Sequence, residues 1–257
     1  MLPVYSISKP FLAQAILELN LELSTAIGDF IPGLAEVYKN RTVACLLNHT
    51  SGLDDYSQLP DYNQAVANSE TAWSESELLE RCEQLPHQRV GFHYSNVGYL
   101  LLRQAMERTT GLGYFQSLEK LVFKPLVIAG FAEWVEPHEA VPNYDPAWVY
   151  SGTFLAEPDA IAPALATLAK HRAASLGLAA GLAEVPYPNT GFEQPGYNFG
   201  FMANGNPPRH VGHGGGGPGF QLMALVNTSN WHSAVEISQT GDLDQAKAIE
   251  ALKARLA

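Results

Sequence analysis

Apolar positions along the chain fall into two regimes that divide near residue 186. Before that point they recur every three or four residues, the period of a helix with one buried face. Phe11, Leu12, Ala15, Ile16 and Leu19 make the first such stripe, which predicts a helix opening near Ser6. Pro10 falls in its first turn, where backbone N–H groups have no intrahelical partner and a proline forfeits nothing. A second apolar run, 43–47, ends in the small polar loop 48–53, where His49 reads as a hydrogen-bonded structural histidine. Ser74 with Glu77 three residues on forms a capping box for a helix reaching about Leu85. Tyr94-Ser95-Asn96 precedes an apolar helix running to about Gly111, and another ends near 123–126. An irregular stretch rich in proline, tryptophan and acids covers 133–150, before a helix from Glu157 to about Leu178.

Beyond Pro186 the pattern becomes extended. Residues 197–202 alternate aromatics with small residues, 209–213 approach a glycine run, 220–226 are apolar and 233–237 alternate, which predicts three or four antiparallel strands. The chain closes on a helix with Asp242 as N-cap and Gln245 at N3. Its apolar face is Leu243, Ala246, Ile249, Leu252 and Leu256, and Lys253 and Arg255 sit in the last turn where cations suit the dipole. Strands need cover, and helices lie at both chain ends to supply it. The expected class is therefore α/β of the α+β type: a small antiparallel sheet flanked by N- and C-terminal helices, with a mostly helical lobe inserted. In residue terms this is one domain over 1–257, with an α/β lobe from about 1–40 and 190–257 and a helical lobe from about 41–189.

Composition narrows the partners. The 257 residues are 46% hydrophobic, enough for a substantial core, and the net charge of −11 opposes a nucleic-acid or anionic-membrane surface. A small neutral or mixed-charge ligand is the natural expectation. No stretch approaches ~20 apolar residues, so no membrane span is expected. Lys9 interrupts the one candidate leader, which makes the chain as it stands read as cytoplasmic, or as periplasmic or secreted if its native N-terminus extends further. Cys45 and Cys82 have no metal or redox spacing and read as two reduced structural thiols.

Candidate chemistry begins at Ser6-Ile7-Ser8-Lys9. Residues three apart share a helix face, so the Ser6 hydroxyl and Lys9 amine can meet, and a serine hydroxyl becomes a nucleophile only when a neighbouring base takes its proton. The same pattern recurs at Ser117-Leu118-Glu119-Lys120, so the motif alone has little weight. The run Gly212-His213-Gly214-Gly215-Gly216-Gly217 contains a formal G-x-G-x-x-G. Its C-terminal side continues into a turn and a strand, where a dinucleotide site would need a helix. His210 and His213, three apart on a strand, point to opposite faces and do not suit one metal ion. Glycines there would let a ligand lie against the strand backbone.

Ser6-Ile7-Ser8-Lys9, Tyr94-Ser95-Asn96 and His213-Gly214-Gly215, in that order, resemble the three motifs of the serine β-lactamase and penicillin-binding-protein superfamily, in its class C and esterase branch. Residues 46–53 and Gly217-Pro218-Gly219-Phe220 also look like frequent family segments, so the resemblance spans nearly the whole chain and leaves Ser117 and Lys120 as a surface pair. It implies a serine hydrolase that works through an acyl-enzyme, with no metal or organic cofactor. Ser6 would be the nucleophile, and Lys9 and Tyr94 would share the proton traffic, either serving as base. Asn96 would hold Lys9 and the substrate carbonyl, His213 and Gly215 would bind substrate, and the N–H groups of Ser6 and Gly216 would form the oxyanion hole. His213 replaces the Lys usual in β-lactamases and DD-peptidases. A largely neutral imidazole tilts the expectation toward an ester, amide or peptide without an obligatory carboxylate, and so toward an esterase-like activity. The alternatives are a β-lactamase or penicillin-binding DD-peptidase, and a catalytically inactive ligand-binding relative. The family usually has a helix and two strands before its nucleophile. Only five residues precede Ser6, which implies an open sheet edge available for a homodimer.

Overall fold

The computed structural model of the chain describes residues 1–139 and 141–257. Strand β1 (Leu2–Pro3) pairs antiparallel with β3 (Leu155–Ala156), which also pairs with β2 (Phe131–Ala132). A 3-10 turn, Tyr5–Ser8, runs directly into helix α1 (Lys9–Glu18). Ser6 thus sits in the turn before the α-helix, where the apolar period predicts the helix itself. The i, i+3 relation to Lys9 survives because a 3-10 turn eclipses residues three apart. Pro10 takes the second helical position, as the first-turn argument requires. Leu12, Ala13, Ala15 and Ile16 are fully buried. Phe11 drives edge-on into Phe123, Phe131 and Phe154 at 5.7, 5.5 and 5.7 Å, pairs worth roughly 1 kcal/mol each beyond their area.

The middle of the chain is helical: α2 (Glu36–Lys39), α3 (Val43–Leu47), α4 (Pro60–Ala67), α5 (Glu75–Cys82), α6 (Asn96–Thr110) and α7 (Tyr114–Leu118). Half of the expected capping box forms. Ser74 accepts from the Glu77 N–H at 3.2 Å, while the Glu77 carboxylate turns to Arg81. Gly111 ends α6 at φ 68°, the left-handed conformation a glycine adopts without strain. Ser117 and Lys120 are no surface pair: Ser117 is fully buried with its hydroxyl 2.8 Å from that of Thr110, and only Lys120 is exposed.

After α8 (Pro158–Ser175) come β4 (Ala183–Glu184), β5 (Pro195–Asn198), β6 (Phe201–Asn204), β7 (His210–Gly217), β8 (Phe220–Asn227) and β9 (Ser233–Ser238). They form one antiparallel sheet in chain order, with more strands than the three or four expected. The difference arises largely at 197–202, which is two strands joined at Phe199 and Gly200, both with positive φ (35° and 92°). Aromatic alternation runs straight through this tight turn and conceals it. A Cβ on Gly200 would lie 2.8 Å from the Lys9 carbonyl oxygen, so the hairpin rests directly on the first turn of α1. Strand periodicity divides β8 between two cores: Leu222, Ala224 and Val226 face the main one, and Met223 and Leu225 face helix α9 (Gln245–Arg255). Helix α8, which the residue boundaries assign to the helical lobe, lies against β8 and β9 and covers the sheet face opposite α9. The cap of α9 is Asp244, which accepts from the Lys247 N–H, while Asp242 accepts from the Ser238 hydroxyl instead. Among the described residues β9 has a strand neighbour on one side only, and no helix is long and apolar enough to cross a membrane.

The glycine run answers to the turn that carries Ser6 more than to a ligand. A Cβ on Gly215 would stand 2.3 Å from the Val4 carbonyl oxygen, and one on Gly217 would stand 2.3 Å from the Tyr5 ring. Gly216, on the opposite face, would meet nothing closer than 3.6 Å. Overpacking against backbone has no flexible neighbour to relieve it. Gly215→Ala is expected to lower unfolding free energy by about 2 kcal/mol and Gly216→Ala to change it by less than about 0.5 kcal/mol. Urea denaturation of the two variants checks this, and equal effects would refute the close-approach account.

Candidate active site

The turn that carries Ser6 is pinned from three sides. The Val4 N–H donates to the Phe154 carbonyl at 3.1 Å, continuing the pairing of β1 with β3. Tyr5 adopts φ 47°, a conformation that costs a bulky residue ~1 kcal/mol or more. Its hydroxyl donates to the Pro218 carbonyl at 2.5 Å, and its ring lies edge-on to Trp134 and Tyr144, which holds the strained backbone in place. The Ser8 hydroxyl donates to the Gly152 carbonyl at 2.6 Å.

Lys9 is fully buried at the start of α1. Its amine lies 3.0 Å from the Ser6 hydroxyl and 3.3 Å from that of Ser151, and 5.2 and 5.4 Å from the ring centroids of Tyr94 and Tyr99. Burial pulls its pKa from 10.5 down to about 7, with the Asp55 charge acting the other way. Tyr94 is shifted in the opposite sense. Burial pushes its phenol well above the ordinary value, and a hydrogen bond to Ser6 only partly opposes this. One group is therefore poised to accept a proton at neutral pH and the other to keep one.

His213 points from β7 toward this cluster, its ring centroid 6.2 Å from that of Tyr94. Its Nδ1 lies 2.5 Å from the Gly214 carbonyl, which can only accept, so Nδ1 carries the proton and Nε2 accepts from the Tyr197 hydroxyl at 3.1 Å. Burial, and then the Lys9 charge, lower its pKa to about 3. The imidazole is neutral, as its departure from Lys implies. Both nitrogens are spent on protein partners, however, so it shapes the site and offers a ligand no N–H. Asn96 opens α6, half-buried, with its backbone N–H donating to the Asp55 carboxylate. Among the described residues the Lys9 amine bonds Ser6 and Ser151, so Asn96 is not the partner that the resemblance implied. His49 is structural, as expected: buried, accepting from the Ser95 N–H at 3.1 Å and stacked on Tyr94 at 4.2 Å.

Ser6, Tyr94, His213, Gly215 and Gly216 line a cleft of about 540 Å³. Strand β6 pairs with β7 only as far as Gly212, which leaves the segment through Gly216 with β8 as its sole strand partner among the described residues. Val185, Tyr187, Phe192, Met202 and Leu243 make the far wall apolar, and no Asp, Glu, Lys or Arg is among the described lining residues. Nor does any cluster of three or more His, Cys, Asp or Glu among the described residues suit a metal ion. Sequence reasoning missed Tyr5, Ser8, Ser151 and Tyr197. The one local signal was Ser151-Gly152, a small polar residue before a glycine that proves to need φ 87°.

Comparison with known proteins bears on the family and the fold. Penicillin-binding protein 4* of Bacillus subtilis (strain 168) is 32% identical over 133 residues, a match covering 47% of this chain and 28% of that protein, less than a third of its length. Among solved structures, a D-stereospecific amidohydrolase from Streptomyces sp. superposes with a TM-score of 0.74 at 24% identity, over 100% of this chain and 87% of that one. A D-amino acid amidase from Ochrobactrum anthropi SV3 gives 0.73 at 18% identity, over 98% and 84% of the two chains. An octameric penicillin-binding protein homologue from Pyrococcus abyssi gives 0.71 at 19%, over 98% and 65%. These identities carry the fold alone. The profile named Beta-lactamase matches residues 1–256, which, with the three motifs converging on one cleft, makes the chain a member of the beta-lactamase family.

Proposed function

We propose that the protein is a serine hydrolase that forms an acyl-enzyme at Ser6 on an uncharged ester or amide, with esterase-like preference. The observation that carries this reading is the Ser6 hydroxyl 3.0 Å from a buried amine with pKa about 7, at the wall of an open cleft. Lys9 is the base, because burial frees its lone pair near neutral pH while the same burial keeps Tyr94 protonated. As Ser6 Oγ bonds the substrate carbonyl carbon, its proton passes to Lys9. The oxyanion is received by the N–H groups of Ser6 and Gly216, each such donor typically worth ~3 kcal/mol in the barrier. Tyr94 gives its proton to the departing alkoxide or amine and regains one from the Lys9 ammonium. Water reverses the sequence to release the acid. Asn96, at the mouth of α6, is the residue left to position the substrate carbonyl.

The esterase-like preference is supported by the cleft's chemistry. With His213 neutral and no basic side chain on the described lining, a substrate carboxylate has no cation to pair with. That disfavours the β-lactam and DD-peptide reading. The retained Ser6, Lys9 and Tyr94 geometry favours catalysis over the inactive binding module. The open edge of β9 fits pairing with a second copy.

Two measurements test the proposal. A fluorophosphonate should add one covalent group, seen by intact mass, which is absent in Ser6→Ala. Hydrolysis of a p-nitrophenyl ester should fall by a factor of about 10³ or more in that variant. A folded protein that no acylating reagent modifies would sink the enzymatic reading. Second, kcat/KM should rise with pH through an acidic limb near 7, because Lys9 accepts a proton only once it is neutral, and no further limb should appear near 6.5 because His213 titrates near 3. A profile flat from pH 5 to 8 would remove Lys9 as the base.

A further inference from the structure

We infer that Ser151 is a positioning residue for the Lys9 amine, a neutral hydroxyl that receives the ammonium when Lys9 holds the nucleophile's proton. The inference rests on the hydrolase reading above and adds a residue to it. The Ser151 hydroxyl lies 3.3 Å from Nζ, and the residue is 1% exposed.

The geometry around Ser151 is built. Trp148 Nε1 donates to the Glu70 carbonyl and the Tyr150 hydroxyl to that of Trp73, which fixes the segment ahead of it. Gly152 comes next at φ 87° with the Tyr114 ring so close that a Cβ would stand 2.5 Å from it, and its carbonyl is bound by Ser8, the residue just before Lys9. Two residues on, the Phe154 carbonyl takes the Val4 N–H. The β1–β3 pairing therefore sets the Ser6 turn and Ser151 in register with each other. Amine and hydroxyl meet across 142 residues of sequence because the backbone on either side is locked.

The chemistry needs such a group. A neutral amine has one lone pair for the Ser6 proton. Once it accepts that proton it becomes an ammonium with three N–H groups at a fully buried position. Ser6 Oγ and the Tyr94 and Tyr99 ring faces are nearby. The titratable neighbours are Asp55, whose charge favours the ammonium, and His49 and His213, both held neutral by burial. Apart from Ser6 Oγ, none of these makes a hydrogen bond to the amine among the described residues. Ser151 does, and being uncharged it stabilises the ammonium without pinning the proton there as a carboxylate would.

The test reads the amine itself. In protein labelled with 13C at the lysine ε-carbon, the Lys9 signal, identified by its loss in Lys9→Met, should titrate near 7. In Ser151→Ala it should titrate about one pH unit lower, the loss expected for one hydrogen bond to a charged group. The acidic limb of fluorophosphonate labelling should move the same way while the plateau rate falls. Should Ser151→Ala fail to fold, Ser151→Cys, a weaker acceptor, should shift both readings in the same direction by less. An unchanged or raised Lys9 midpoint in the folded variant would overturn the inference. A lowered midpoint in a protein whose Ser6 is never labelled would keep the role of Ser151 and remove the hydrolase reading, so the two fail separately.

Discussion

The site depends on one unfavourable act, the removal of the Lys9 amine from water with no carboxylate paired to it among the described residues. The preference of that group for its neutral form, from 10.5 down to about 7, corresponds to about 5 kcal/mol, comparable to the whole stability of many domains. The sign comes from linkage. The folded chain binds this proton less readily than the unfolded chain does, so the cost to stability grows as pH falls from the amine's ordinary value and is complete below about 7. A fold that tolerates this must hold α1 by other means, and it does. Every residue from Lys9 to Ile16 is buried, and Phe11 anchors the helix in a four-phenylalanine cluster.

Glycines sit where the chain presses on that first turn. Gly200 brings the β5–β6 hairpin against the Lys9 and Pro10 backbone, Gly215 brings β7 against Val4, and Gly152 lets the Ser151 segment pass the Tyr114 ring. Each is a place where a Cβ would meet another group at under 3 Å. Such approaches fix the relative positions of a hydroxyl, an amine and a strand backbone, as the proposed acyl transfer requires. Strain at Tyr5 is the corresponding backbone cost, and it is met by a buried ring and a hydrogen bond to Pro218.

Legible and hidden features of the sequence divide along a physical line. Local periodicity and caps were legible, so α6, Asn96–Thr110 with its cap Gly111, and most of the sheet could be placed. So could Ser6, Lys9 and Tyr94, because a helical turn fixes the first pair and three ordered motifs tie in the third. Features set by distant contacts were not legible. Ser151 matters only because β3 pairs with β1, and the partner of His213 Nε2 is Tyr197, carried by β5 two strands away. The turn at Phe199 and Gly200 was hidden because the local signal contradicted it, its aromatics continuing an apparent strand. Asp242 was a reasonable cap by type, but its carboxylate is claimed by Ser238, so the helix starts two residues later.

Electrostatics at two scales bear on the substrate. A net charge of −11 gives the surface a field that repels anions, and a site for a carboxylate would have to overcome it with a local cation. The described lining of the cleft carries none, and its one titratable ring at the strand is held neutral by burial. Lys9 is no substitute. With a pKa of about 7 its charge is only partial at neutral pH, and its N–H groups face Ser6 and Ser151. A permanent cation beside it would lower its pKa still further, and one at His213 would do so across the Tyr94 ring. The neutral strand residue thus adds no charge beside the Lys9 amine, whose pKa burial brings to about 7.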